Sequence, residues 1–287
     1  VLKNNIFKPH FSDEETRDMR WIIEDFAPDN NFGKLAEAAR AAGHKVDVIS
    51  YEPFQSKDLS DIRVEAGEKV LFQGSIQFAQ QIQNTKPHWV PGVFASWKNF
   101  ECTSYYVRYG EHLFNSNYIM MPLQELFRRW RDLMNTFDGD LFVRPNTSMK
   151  TFSGVVLGEY EFSDSRIKHT RDLLTFDASP TDLIVVSGCR QPVAEWRVIC
   201  SSRGVVTGCQ YRTVGIPNVQ AGIPDEVRLY AQSLCNGPTH PDPMYVLDIC
   251  YHRQTSYRLL EAGPFSVAGL YACDVDKIVA EASALIS

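Results

Sequence analysis

Apolar residues fall along this chain in two rhythms. In FGKLAEAARAAGHKVDVISYEP, Leu35, Ala38 and Ala42 recur at helical spacing until Gly43 ends the pattern, and VDVIS reads as a short buried strand. Ahead of it, WIIEDFAPDNN is an apolar run that breaks into a turn-rich loop. Strand, loop, helix and strand in this order predict a right-handed βαβ unit and a parallel sheet. A further strand follows at KVLFQGSI, leading into the helical pattern FAQQIQ, while KPHWVP reads as a loop. Helical patterns at Tyr105–Gly110 and Leu123–Asn135 come next. After Asp138-Gly139 the second rhythm takes over, short β-rich runs separated by turns. LFVRP, GVVLGEYEF, DLIVVS, EWRVIC, VVTGCQYR, YVLDIC and YRLLEA read as strands. Helices are predicted at Arg166–Leu174, at Asp225–Cys235, with Pro224 suiting the first turn, and near Asp276–Leu285. The pattern is an α/β half followed by an α+β half with mostly antiparallel strands. The polar first twenty residues, with the charge run DEETRDMR, read as a solvated arm or short helix, and no internal repeat appears.

Composition narrows the class. The 287 residues are 44% hydrophobic and 22% charged, ordinary for a packed globular protein of about two small domains. Lysine and arginine total 29 against 35 acids, a net charge of −6, which disfavours bulk binding to nucleic acid or an anionic membrane. No apolar run is long enough to cross a bilayer, and the polar start VLKNNIFKPH is unlike a signal peptide, so a cytoplasmic protein is expected. The seven cysteines form no CxxC pair and mostly sit in strand-like apolar runs. They read as buried thiols rather than as a disulfide framework or a zinc site.

Candidate chemistry gathers in the second half. In LFVRPNTSMKTFSG, Arg144 ends a strand and a polar loop carries Lys150, an arrangement suited to phosphate oxygens; a surface hairpin with solvated charges would look the same. Glu195 and Arg197, two apart, share a face of one strand. If residues 201–204 form the hairpin loop, Cys200 pairs with Val205, Arg197 lies opposite Gly208, and Arg212 joins Arg197 on its face. A glutamate and two arginines there suggest an anion site or an ion-pair network. Asp248 and Glu261 each stand alone in an apolar strand, where a carboxylate is costly unless paired or metal-bound. Two converging acids would suit Mg²⁺, which takes a few carboxylates plus substrate phosphates. Sharing a face requires Glu261 opposite an even-numbered residue such as Val246, hence a six-residue loop from Tyr251 to Ser256; a one-residue slip sends the acids to opposite faces. Pairing with Arg253 or Arg258 is the structural alternative. The turn AGPFSVAGLYACD could bring backbone N–H groups to phosphate or simply join strand to helix. Gly74, after a parallel strand, sits where small anions often bind, though a tight turn explains it equally.

Read in order, LFVRPNTSMKTFSG, VVSGCRQPVAEWRVICSSRGVVTGCQYR and YVLDIC…RLLEAGPFSVAGLYACD resemble the ATP-grasp superfamily of ligases. The nearest branch carries F-x-R-P…K-x-F-x-G, E-W-R and D…E-x-N-x-F-S…G-x-Y motifs. The likeness covers about residues 141 to 274. It implies a Rossmann-like (pre-ATP-grasp) domain at 21–117 after an arm at 1–20, then an ATP-grasp domain at 118–287 split near 182/183 into two subdomains that grip ATP. It further implies that Arg144 and Lys150 contact the phosphates and that Val185, Val186 and Ser187 line adenine through their backbone. Glu195 joins the cofactor-binding set, Asp248 and Glu261 hold magnesium, and Arg197 with Arg212 faces the transferring phosphate. The implied activity is activation of a carboxylate as acyl phosphate with release of ADP, followed by attack of an amine. The substrates would be small molecules or peptides, and similar enzymes are commonly dimeric. Two positions depart from the pattern: Gly263 stands where the family has asparagine, and Gly188 where the hinge is often acidic. These departures leave open a nucleotide-binding protein without catalysis, and a phosphotransferase on the same fold is a third reading.

Overall fold

A computed structural model describes residues 19–25, 31–52, 57–237 and 239–286. The expected N-terminal arm lies outside them, apart from Met19 and Arg20, which begin the first strand.

The first half builds a parallel sheet. β1 (Met19–Glu24) is joined through α1 (Phe32–Ala41) to β2 (Lys45–Ile49), and β3 (Lys69–Gln73) leads into α2 (Ile76–Thr85). The strand order is β2-β1-β3-β4, all parallel. β4 (Val90–Gly92) falls within and just beyond the segment read as a loop; its three residues are too few to show a period. α1 turns Leu35, Ala36, Ala38 and Ala39 into the core, and Gly43 ends it at φ 85°. At Gly74 a Cβ would fall 2.5 Å from Oε2 of Glu24 and 2.6 Å from its Cβ, so the glycine makes room for that glutamate.

After α3 (Cys102–Tyr109) come two antiparallel sheets. The first has the order β5-β8-β6-β7, from β5 (Tyr118–Pro122), β6 (Leu141–Pro145), β7 (Val155–Leu157) and β8 (Leu183–Gly188). It is backed by α4 (Leu123–Phe137), whose Leu123, Leu126, Trp130 and Leu133 form the buried stripe, and by α5 (Ile167–Leu174). β8 therefore belongs with the central strands, not with the C-terminal subdomain expected to start at residue 183. GVVLGEYEF is a strand only over its first part; Glu159–Phe162 turns as a 3-10 helix.

The second sheet has the order β11-β10-β9-β12-β13. Its strands are β9 (Ala194–Ser201), β10 (Gly204–Thr213), β11 (Ile216–Ala221), β12 (Met244–His252) and β13 (Ser256–Pro264). β12 is an interior strand, paired on both edges and buried along most of its length, and each of Val246, Leu247 and Ile249 contributes roughly 1.5–3 kcal/mol by leaving water. α6 (Asp225–Cys235) packs on this sheet, with Pro224 at its N-cap rather than inside its first turn. α7 (Val275–Ile286) crosses back to lie on α1, and the core beneath them joins Leu35 and Ala39 to Ile199, Val246, Ile278 and Ala282. All seven cysteines are free and all but Cys189 are buried, with the Sγ atoms of Cys209 and Cys273 3.4 Å apart.

Candidate active site

Strand register assembles the site. Asp248 on β12 pairs with Arg197 on β9 on one side and with Glu261 on β13 on the other, so cation, carboxylate and carboxylate form one row across three strands. The expected route to this row was wrong. There is no six-residue loop: His252 pairs with Ser256 across a three-residue turn, and Ser256 takes φ 58°. Uninterrupted pairing from that turn would set Glu261 opposite Leu247, facing away from Asp248. A bulge corrects it: Ile249 pairs with Leu259 and Asp248 with Glu261, leaving Leu260 unpaired.

Two more bulges act on β10. Cys200 pairs with Val205 as expected, but the extra residue Val206 then sets Arg197 opposite Cys209 rather than Gly208. A second slip at Tyr211 sets Arg212 opposite Glu195. Two one-residue slips cancel, so Arg212 still shares a face with Glu195 and Arg197. The bulged Tyr211 donates its hydroxyl to Glu195 Oε2 at 2.7 Å, while Arg212 Nη1 stands 3.9 Å from the same oxygen.

Arg197 is fixed on every side. Its Nε and Nη2 donate to Asp248 at 2.9 and 2.8 Å, and Nη1 donates to the carbonyl of Gly269 at 2.8 Å. Its guanidinium lies 4.9 Å from the ring centre of Tyr271 and 5.8 Å from that of Tyr211, and these two rings stack 5.2 Å apart. Tyr271 holds φ 47°, a strained value for a bulky side chain. From the opposite sheet Arg144 reaches across, donating to Glu261 Oε1 at 2.8 Å. Neither Arg253 nor Arg258 pairs with the two acids.

Burial and charge oppose each other in this row. Burial alone would lower the pKa of Arg197, but Asp248 outweighs it and the net shift is upward. Burial raises the pKa of Glu261, yet Arg144, Lys150 and Arg197 together hold it below the ordinary carboxylate value. Glu195 goes the other way: burial pushes its carboxyl up, and Tyr211 and Arg212 offset only part of that.

The row borders two cavities. A cleft of about 370 Å³ between the antiparallel sheets is lined by Phe142, Arg144, Glu195, Arg212, Asp248 and Glu261. A smaller space of about 50 Å³ brings Lys150 beside Arg197, Asp248, Glu261 and Gly263. Both carboxylates line both spaces. Arg144, Lys150, Arg197 and Arg212 outnumber Glu195, Asp248 and Glu261, which suits a polyanion. Val185, Val186 and Ser187 are not brought to the cleft. They sit inside β8, paired to β5 and β6 on both sides, so their backbone groups serve the sheet. The segment after the strand, Cys189 to Pro192, lines the cleft instead. Arg190 there donates to the Phe114 carbonyl and lies over its ring. Sequence reasoning missed Arg190, Tyr211 and Tyr271, although the G-x-Y motif contained the last.

The donor set fits magnesium. Among the described residues no three His, Cys, Asp or Glu side chains converge, which disfavours an all-protein metal cage. Two neighbouring hard oxygen donors beside a cationic cleft suit an ion that completes its shell with phosphate oxygens and water. At Gly263 a Cβ would meet nothing within 4 Å, so the side chain missing there leaves open space beside the carboxylates.

Comparison with known proteins agrees with this architecture. Solved structures with the same fold include the D-cycloserine synthetase DcsG (TM-score 0.65, 13% identity, 94% of this chain and 100% of that one). A RimK domain ATP-grasp protein from Sphaerobacter thermophilus DSM 20745 aligns at TM-score 0.57 and 12% identity over 91% and 98% of the two chains. The ATP-grasp ligase PsnB, complexed with a phosphomimetic variant of its minimal precursor, Mg and ADP, aligns at 0.54 and 15% over 94% and 98%. A search of curated proteins finds no match. Among the described residues no helix is long and apolar enough to cross a membrane. Residues 126–280 match the model of the ATP-grasp domain, clade family 2, and with the motifs and sheets that build this cleft the chain belongs to that ATP-grasp family.

Proposed function

We propose that the chain is a cytoplasmic ATP-dependent ligase that joins a carboxylate to an amine. The observation that carries this reading is the Arg197–Asp248–Glu261 row, bordered by Arg144 and Lys150 from the opposite side of the cleft. ATP lies between the two antiparallel sheets, with adenine against Cys189–Pro192 and the phosphates toward Arg144 and Lys150. Asp248 and Glu261 hold Mg²⁺, which neutralises charge on the phosphates when bound. The parallel sheet of the first half serves as the pre-ATP-grasp domain.

In the reaction a carboxylate oxygen attacks the γ-phosphorus, the bond to the β-phosphate oxygen breaks, and ADP leaves. The amine then attacks the acyl carbon, phosphate departs and the amine proton is lost. Arg197 is the group fitted to both steps. Its position is set by Asp248, Gly269 and two aromatic rings, so it faces developing negative charge without reorganising. Arg212, more exposed and only loosely paired, is free to follow the phosphate.

The test is product analysis with a panel of carboxylates and amines. ADP, phosphate and an amide support the reading; AMP with pyrophosphate, or a stable phosphorylated product, sinks it. Gly263 favours a second reading, nucleotide binding without catalysis, which predicts ATP-dependent thermal stabilisation and no ADP with any substrate pair.

A further inference from the structure

Two of the segments that hold Arg197 meet a second time, through sulfur. Cys209 on β10 and Cys273, in the turn before α7, place their Sγ atoms 3.4 Å apart, with Cys273 donating to Cys209. The pair lies against the backbone of the arginine. Cys209 is the register partner of Arg197, and Cys273 Sγ stands 4.0 Å from the Arg197 carbonyl oxygen. Two residues after Cys209 comes Tyr211, and two before Cys273 comes Tyr271, the rings that cover the guanidinium and stack on each other. The two segments therefore touch twice, once ring to ring and once thiol to thiol.

The two thiols differ in character. The hydrogen bond from Cys273, helped by Arg197, holds Cys209 below the ordinary thiol pKa, while that same contact and burial push Cys273 well above it. A thiol drawn toward the thiolate beside a second, protonated one is the arrangement of an attacking and a resolving cysteine. Both side chains are buried, yet Tyr271 and Ala272, immediately before Cys273, line an open cavity of about 630 Å³. A small oxidant entering there arrives next to the pair.

We propose that Cys209 and Cys273 form a redox site that a peroxide closes to a disulfide, shifting the turn that holds Arg197. The Cys209 sulfur attacks a peroxide oxygen, the O–O bond breaks, and a sulfenic acid and one water result. The Cys273 sulfur then attacks the sulfenic sulfur, the S–O bond breaks, and a second water carries off the remaining proton. β10 is tied at Cys209 to Arg197 on one side and to Gly222 on the other, so the closing movement falls on the turn from Gly269 to Cys273. That turn supplies the Gly269 carbonyl and the Tyr271 ring to Arg197, and the guanidinium follows it. The bond does not depend on what reaction the cleft performs; its effect on nucleotide rests on the reading of Arg197 as the residue facing the transferring phosphate.

In the experiment the full chain is reduced, treated with hydrogen peroxide, blocked with N-ethylmaleimide and digested. Mass spectrometry should find the Cys209 and Cys273 peptides joined, and dithiothreitol should release them. The bond links residues 64 apart in sequence, so the oxidised chain should melt at least about 4 °C higher than the reduced one. Cys209→Ser and Cys273→Ser should each lose that rise. Titration in Mg²⁺ should show the non-hydrolysable ATP analogue AMPPNP bound at least threefold more weakly by the oxidised chain, with ADP unchanged. The redox site is overturned if the joined peptides are absent when the exposed Cys189 is fully oxidised, if other cysteines join instead, or if the melting rise persists in the serine variants. Should those variants fail to fold, peptide mapping of the parent chain decides alone. A joined pair with the AMPPNP to ADP ratio unchanged overturns the coupling to Arg197. A joined pair with no AMPPNP binding in either state upholds the redox site and removes the nucleotide reading.

Discussion

The Arg197–Asp248 pair gives the sharpest test of how the site is held. Both side chains are deeply buried, at 12% and 9% exposure, and they share two hydrogen bonds of 2.9 and 2.8 Å. Removing one member of such a pair strands the other's charge, at a cost of about 3–5 kcal/mol. Arg197→Met should be the worse single change, because it leaves Asp248 beside Glu261 without its own paired cation. Asp248→Asn should cost less, since Gly269 and the Tyr271 ring still hold the guanidinium. In the double variant neither charge is stranded, and its loss should fall short of the summed single losses by about 2–3 kcal/mol, the upper range for residues in contact. Urea unfolding in EDTA, followed by circular dichroism, measures all four proteins. Adding Mg²⁺ should then restore part of the stability of Arg197→Met, by mass action on a site whose Asp248 has lost its cation. Additivity within about 0.5 kcal/mol would refute the reasoning, as the two groups would then be energetically independent.

The remaining expectations concern single positions. Gly263→Asn has no positive φ to oppose it and open space for its side chain, so it should fold normally and tighten Mg·ATP binding, read by titration of AMPPNP at varied Mg²⁺. Glu261 has a depressed pKa, so its contribution is complete above the ordinary carboxylate value and is lost as pH falls through its folded value; melting in acid should fall less steeply for Glu261→Gln. Gly74→Ala should destabilise by about 1–3 kcal/mol, because its Cβ has no room beside Glu24 and Phe72, and a thermal melt unchanged from the parent would contradict the packing described. Tyr271→Phe should retain turnover and Tyr271→Ala should lose most of it with ATP affinity preserved, separating the ring's role in holding Arg197 from nucleotide binding.

The elements that obeyed a simple rhythm were legible in the sequence. β1, α1, β2 and the long strands β9, β10, β12 and β13 all fall where alternation or helical spacing places them. β11 was missed because IPNVQA is an exposed edge strand with no buried face to impose a period, and β5 because YIMMP is short and continuous with α4. The candidate residues were chosen by chemistry, and most of them converge. How they converge was not readable, because three bulges decide it. Nothing in DICYHRQTSYRLLEA announces that Leu260 drops out of the ladder, yet without that slip Glu261 would face away from Asp248. Tyr211 is likewise a bulged residue, and its reach to Glu195 follows from a kink that composition does not encode. The adenine expectation placed contacts on an interior strand, where both edges are already spoken for by β5 and β6.

The position of α7 has a consequence for how the protein is made. This helix lies on α1, with both antiparallel sheets between them in chain order, and Ile278, Val279 and Ala282 share a core with Trp21, Leu35 and Ala39. A ribosome delivers the parallel sheet well before α7, so the apolar surface of α1 stays partly uncovered while both later sheets are being synthesised. Deleting α7 would accordingly be felt first in the parallel sheet, at the other end of the described chain.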